Sequence, residues 1–129
     1  MYLFHRMEEL IDGRRFIGVM AEFWKLLLDP YFESKALDAV KTWRKRNGAA
    51  MFDTQSPQDV LTSKIASPLI EQCVTQLYLP NPKARTEDYI DGFKLSRREY
   101  QIVREDMVRD NLRGFLAKQG PNACICELN

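Results

Sequence analysis

Glu22 closes the apolar run Phe16-Ile-Gly-Val-Met-Ala-Glu22, and a carboxylate at the end of a buried strand is placed to polarise an attacking water. Enzymes that cleave phosphoanhydrides put an acidic pair there, the first acid for a metal and the second for the water. Here Ala21 stands before Glu22. A second apolar run, Ala49 to Thr54, leads into Gln55 and Ser56. A polar side chain leaving the carboxyl end of a strand can orient water or read a γ-phosphate. Ser56 has the look of a helix cap, whereas Gln55 has no such duty. Lys41, Arg44, Lys45 and Arg46 form a basic cluster at the end of a helical stretch. Cations there complement the helix dipole by ~0.3–1 kcal/mol each. They could also touch a phosphate across a subunit boundary, or nucleic acid. The nucleic-acid reading ranks last, because the net charge is only +1 and the cluster lacks interleaved aromatics; Trp43 reads as core.

Other chemistries lack their residues. Gly13 and Gly18 have the glycine spacing of a phosphate-binding loop, but Val19 and Met20 stand where lysine and serine or threonine are needed. No other glycines offer a match. His5 is the only imidazole and has no nucleophile at a recognisable offset. The cysteines are Cys73, Cys124 and Cys126, an odd number far from that histidine. A closed zinc site wants four such ligands, so no metal site is expected and the thiols are read as small buried hydrophobes.

Alternating strands and helices would position Glu22 and Gln55. Leu3, Phe4, Met7, Leu10 and Ile11 recur at helical spacing, with Gly13 as a stop. Phe16 to Glu22, apolar on both faces, suits a parallel strand covered by helices on each side. Trp24 to Leu28 starts a helix that restarts at Asp29-Pro30, cap and first-turn proline, and ends at Asn47-Gly48. Ala49 to Thr54 is the next strand. Ser56-Pro57-Gln58-Asp59 reads as a capping box, in a helix that Ser67-Pro68 interrupts. Cys73 to Leu79 is a third strand before Pro80-Asn81-Pro82, and Ser96-Arg97-Arg98-Glu99 is another capping box. Leu112–Lys118 and Ala123–Leu128 flank Gly120-Pro121-Asn122 as a hairpin. At 129 residues, 45% of them apolar, the chain is one domain or part of one. It has no membrane-length apolar run and no signal-peptide cleavage pattern. The expected class is α/β with a mainly parallel sheet.

Several segments together resemble the CagE/TrbE/VirB transport ATPases of bacterial type IV secretion systems. They are "YLFHRMEELIDGRRFIGVMAEFWKLLLDPYF", "KTWRKRNGAAMFDTQSP", "LIEQCVTQLYLPNPKA" and "YIDGFKLSRREYQIVRE", followed by "RGFLAKQG". The similarity runs in order over the whole sequence. It implies that residues 1–129 are the C-terminal portion of a RecA-like P-loop ATPase domain, without the half that carries the phosphate-binding loop. That family couples ATP hydrolysis to assembly of the secretion channel and pilus and to transfer of DNA or protein.

The resemblance also implies roles. Glu22 matches the catalytic glutamate of the family's second nucleotide motif, and Gln55 the glutamine of its TQ-S/P segment, a sensor of water or γ-phosphate. Thr54 lies in that nucleotide-binding segment. Arg44 and Lys45 match an R-K-x-N element suited to a finger acting in trans, and Asn81 and Pro82 an L-P-N-P loop near the nucleotide base or the next subunit. Ala21 stands where the family has aspartate. ATP and magnesium are the family's cofactors, with no tight binding expected of this chain alone. The implied partners are further copies of the chain (a hexamer in the family, an exchanged dimer here) and other secretion components. The implied place is the cytoplasmic side of the inner membrane. The alternative is a non-enzymatic module that docks on those components.

Overall fold

The computed structural model describes residues 2–128. Met1 and Asn129 lie outside the described residues, as does the side chain of Leu3, with its expected place on the first helix's apolar stripe. The chain divides into two compact units, residues 1–72 and 73–129.

The first unit is built on one parallel strand pair. α1 (Tyr2–Glu9) leads through a bend to β1 (Phe16–Met20). A 3₁₀ segment (Phe23–Leu28) then precedes α2 (Pro30–Thr42), capped by the Asp29 carboxylate, which accepts from the Tyr31 N–H at 2.8 Å. A further 3₁₀ turn (Trp43–Arg46) ends at Asn47, whose left-handed φ of 60° stops the helix. β2 (Gly48–Phe52) then pairs with β1 in register from Phe16↔Gly48 to Met20↔Phe52. α3 (Pro57–Leu61) and α4 (Ala66–Gln72) close the unit. Pro68 does not interrupt a helix as expected. It lies in the first turn of α4, where a missing N–H costs nothing, and the break falls at residues 62–65.

Trp43, 1% exposed, centres this unit's core. Its ring lies 5.3 Å from Phe16 and 5.9 Å from Phe4. It also presses on β1 at Gly18, where an added Cβ would come within 2.3 Å of the indole. Glycine at 18 is therefore a packing requirement. The two-sided burial expected of β1 does not occur. Gly18 and Met20 face the core, while Ile17, Val19 and Met51 remain 70%, 59% and 48% exposed. The reason is that this unit's core lies against one face of the pair.

In the second unit, β3 (Thr75–Tyr78) pairs antiparallel with β4 (Gly114–Gln119), which pairs antiparallel with β5 (Asn122–Glu127). This corrects the expectation of a mainly parallel sheet. The protein is α/β with one small parallel pair and a separate antiparallel sheet of three strands. Antiparallel partners need only a tight turn. Gly120, at φ 58°, supplies the positive φ of a two-residue hairpin with Pro121. Tyr78, paired with Leu116, sits beside it in a core with Tyr89, Leu95, Val103 and Met107. Helical residues Arg97–Gln101 (α5) run through a π-helical stretch, Ile102–Asp106, into α6 (Met107–Arg109).

The Ser96 capping box forms as expected: its hydroxyl accepts from Glu99 N–H at 3.2 Å, and the Glu99 carboxylate accepts from Ser96 N–H at 2.7 Å. The same nearly buried carboxylate receives Lys118 Nζ from β4 at 2.8 and 2.9 Å, tying helix to sheet. Burial pushes the Glu99 carboxyl upward, but the bonds from Lys118 and Ser96 outweigh it and hold the group below its ordinary value. A lowered folded-state pKa gives stability that is present above the unfolded pKa, about 4.3, and is lost as pH falls through the folded value. Denaturation should therefore find Glu99→Gln less stable than the parent at pH 7, by about 1–3 kcal/mol. The gap should narrow as the pH falls below the unfolded value and through the lower folded one. A gap unaffected by acid would rule out the ionised carboxylate as its source.

Candidate functional site

Parallel pairing brings the carboxyl ends of β1 and β2 together, and the chain leaves both strands with polar residues. The ladder runs one step further: Asp53 N–H donates to the Met20 carbonyl and Phe23 N–H to the Asp53 carbonyl, both at 3.2 Å. Ala21 and Glu22 loop out between those bonds. Glu22 takes φ 47°, ψ 42°, a left-handed conformation that costs a side-chain-bearing residue roughly 1–2 kcal/mol. The Asp53 carboxylate holds it there, accepting the Glu22 N–H at 2.6 Å. Ala21, placed at this turn, is exposed.

The turn aims the Glu22 carboxylate at the end of β2. Its Oε1 accepts from Gln55 Nε2 at 3.2 Å, and its Oε2 pairs with Lys25 Nζ. Thr54 shapes the turn that carries Gln55: its hydroxyl donates to the Ser56 carbonyl at 2.9 Å and accepts from the Ser56 N–H at 3.2 Å. The capping box expected at Ser56 is absent, since the Ser56 side chain makes no cap bond. The Thr54 turn fixes that backbone instead. Glu22, Thr54 and Gln55 thus meet at one end of the pair.

Arg44 and Lys45 do not join them. Both are exposed on the 3₁₀ turn just before β2, at the amino end of the strands. Five residues of strand, roughly 16 Å, separate that end from Gln55. The segment is anchored where it lies, with Arg46 donating to the Ile11 carbonyl at 2.7 Å and Asn47 Nδ2 to the Gly13 carbonyl at 2.8 Å. Asn81 and Pro82 belong to the second unit. There Asn81 donates from Nδ2 to the Tyr89 hydroxyl and accepts from Lys83 N–H, both at 3.0 Å, while Pro82 is exposed.

The sequence reading did not single out Asp53 and Lys25. Both left a signal: a carboxylate ending the second strand beside the end of the first, and a cation three residues after Glu22. The residues present do not themselves fit magnesium. One Asp53 oxygen is held by a backbone N–H, and both Glu22 oxygens are engaged by Gln55 and Lys25. Among the described residues no cluster of three or more metal-ligating side chains forms.

No protein-family model matches the sequence, but individual relatives match it throughout. It is 51% identical over 129 residues to the type IV secretion system protein virB4 of Bartonella quintana, covering 100% of this chain and 16% of that protein. The type IV secretion system protein PtlC of Bordetella pertussis is 46% identical over 129 residues, 100% of this chain and 15% of that protein. The virB4 protein of Brucella abortus is 48% identical over 128 residues, 99% of this chain and 15% of that protein. The chain belongs to the VirB4/PtlC family of type IV secretion system proteins. It matches a C-terminal part of that family and spans 15–16% of the length of these relatives. Among the described residues of this VirB4/PtlC segment, no helix is long and apolar enough to cross a membrane.

The Asp53 bond to Glu22 can be tested in this segment alone. Asp53→Ala should lower stability by about 1–2 kcal/mol, because the left-handed turn loses its acceptor. Asp53→Asn, which keeps an oxygen, should lose less than half as much. Equal losses in urea denaturation would show that the carboxylate oxygen does not hold the turn.

Proposed function

We propose that this chain is the water-activating part of a RecA-like secretion ATPase, and that its longer parent protein couples ATP hydrolysis to channel and pilus assembly and to cargo transfer. The observation that carries the reading is the contact of Gln55 with Glu22 across the carboxyl ends of two parallel strands. Ligands of open α/β sheets bind at that edge. In the reaction, water attacks the γ-phosphate in line: its oxygen bonds to phosphorus as the bond to the bridging oxygen breaks, leaving ADP. The Glu22 carboxylate accepts the water's proton, and the Gln55 amide orients the water. Lys25 has to yield Oε2 for that proton to arrive, so the pair with Lys25 is a resting arrangement.

The other carried-over residues take roles that suit their positions. Arg44 and Lys45, at the far end of the strands, serve a neighbouring subunit's phosphates. Thr54 sets the sensor turn, and Asn81 and Pro82 form a loop near the nucleotide base or the adjacent subunit. Parallel strands are normally covered on both faces, so the open surface of Ile17, Val19 and Met51 supports self-association, hexameric in the complete protein. The reading places the assembly with other secretion components on the cytoplasmic side of the inner membrane. The same open surface favours the non-enzymatic alternative, a module that only docks.

Phosphate-release assays separate the two. The isolated chain, whose sequence has no phosphate-binding loop, should show no turnover. In a longer protein that includes the loop, Glu22→Gln should lower kcat by about 10²–10⁴ with nucleotide binding retained. Full turnover by Glu22→Gln would assign the segment to docking alone.

A further inference from the structure

Cys124 is exposed, against the expectation of buried thiols, but its sulfur shares a hydrogen bond with that of Cys126 at 3.8 Å. Lys25 has more chemical freedom. It belongs to the 3₁₀ segment Phe23–Leu28, whose first turn is closed by the Lys25 N–H donating to the Glu22 carbonyl at 3.1 Å. Side chains three apart on such a turn eclipse, which stacks Lys25 over Glu22 and brings its Nζ to Oε2. The backbone beneath is fixed. Phe23 is buried, and its ring lies 4.8 Å from that of Phe52 on β2. A change of partner by Lys25 therefore needs side-chain rotation alone. Its side chain is 59% exposed and that of Glu22 38%, and Nζ also stands 5.5 Å from the Trp24 ring.

The carboxyl ends of the strands carry two carboxylates, Glu22 and Asp53, joined through the Glu22 N–H. A triphosphate arriving there meets both negative charges. Arg44 and Lys45 stand at the opposite end and do not offset them, whereas Lys25 does. Its ammonium is a compact charge with three donors on a flexible four-carbon stem. An exposed ion pair holds such a group weakly. A terminal phosphate carries more charge than a carboxylate and three strong acceptor oxygens, so it competes well for the same ammonium.

We propose, building on the water-activating reading of Glu22, that Lys25 is a phosphate-responsive latch on that carboxylate. Without nucleotide its ammonium caps Oε2; when a nucleoside triphosphate binds, the ammonium passes to an oxygen of the γ-phosphate. The exchange makes and breaks no covalent bond. It uncovers Oε2 for the water's proton only when the phosphate to be attacked is in place. A nucleoside diphosphate lacks that terminal group and leaves the latch closed.

The test uses the longer protein that includes the phosphate-binding loop. Calorimetry reads binding of ADP and of a non-hydrolysable ATP analogue, and phosphate release reads turnover. Lys25→Met keeps most of the stem and removes the charge. It should weaken the ATP analogue by about tenfold or more and ADP by less than about twofold, and Lys25→Arg should keep most of the preference. Glu22→Gln spares Lys25 the loss of an ion pair, so it should bind the analogue roughly threefold more tightly than the parent, with ADP unchanged. That gain should vanish when Lys25→Met is added. A gain that persists would assign it to carboxylate repulsion and contradict the latch. Equal effects of Lys25→Met on the two nucleotides, or none, would overturn the latch even where Glu22→Gln abolishes turnover. Full turnover by Glu22→Gln would overturn the water-activating reading, and with it the need for a latch.

Discussion

The left-handed turn at Glu22 is the constraint on which the candidate site depends. A strand that simply ran on would send residues 21 and 22 to opposite faces, and neither would be aimed at the end of β2. At φ 47° the backbone folds back, and the Asp53 carboxylate fixes it there through the Glu22 N–H. Strain of this kind persists only where surrounding structure over-determines it. Here the ladder bonds of Met20 and Phe23 to Asp53 bracket the turn on both sides. Strand register, local strain and the meeting of Glu22 with Gln55 are one linked arrangement.

That arrangement rests on the core beneath it. Trp43 sits at the amino end of β2 and fills the space left by Gly18 in β1, so one indole sets the distance between helix layer and strand pair. The same segment holds Arg44 and Lys45 at the amino end of the pair, anchored by Arg46 and Asn47. The first unit therefore has two chemically distinct ends, a carboxylate and amide end and a basic end.

Much of this was legible in the residues. The apolar runs at Phe16 and Ala49, the Asp29-Pro30 start, the Ser96 capping box and the turn at Gly120 all depend on local chemistry, and all appear close to where the pattern puts them. Strand partners are decided by non-local packing. β3 reads as another buried strand, yet it joins the β4–β5 hairpin, whose tight turn makes an edge available in the same unit. Ser56 fails as a cap because Thr54 competes for its backbone, and proline at 68 fails as a breaker because the first turn tolerates it. At the site, Glu22 and Gln55 stood out by type and strand position. Asp53 escaped notice because its work is done on another residue's backbone, in a conformation that no spacing rule announces.

A structure of the longer protein carrying this sequence, bound to ADP and a γ-phosphate transition-state mimic, measures the central claim most directly. The account predicts a Glu22 carboxylate oxygen within about 3 Å of the in-line water, released from Lys25, with the Gln55 amide on the same water. A water held by some other acid, with Glu22 still paired to Lys25 and turned away from the phosphate, would contradict it.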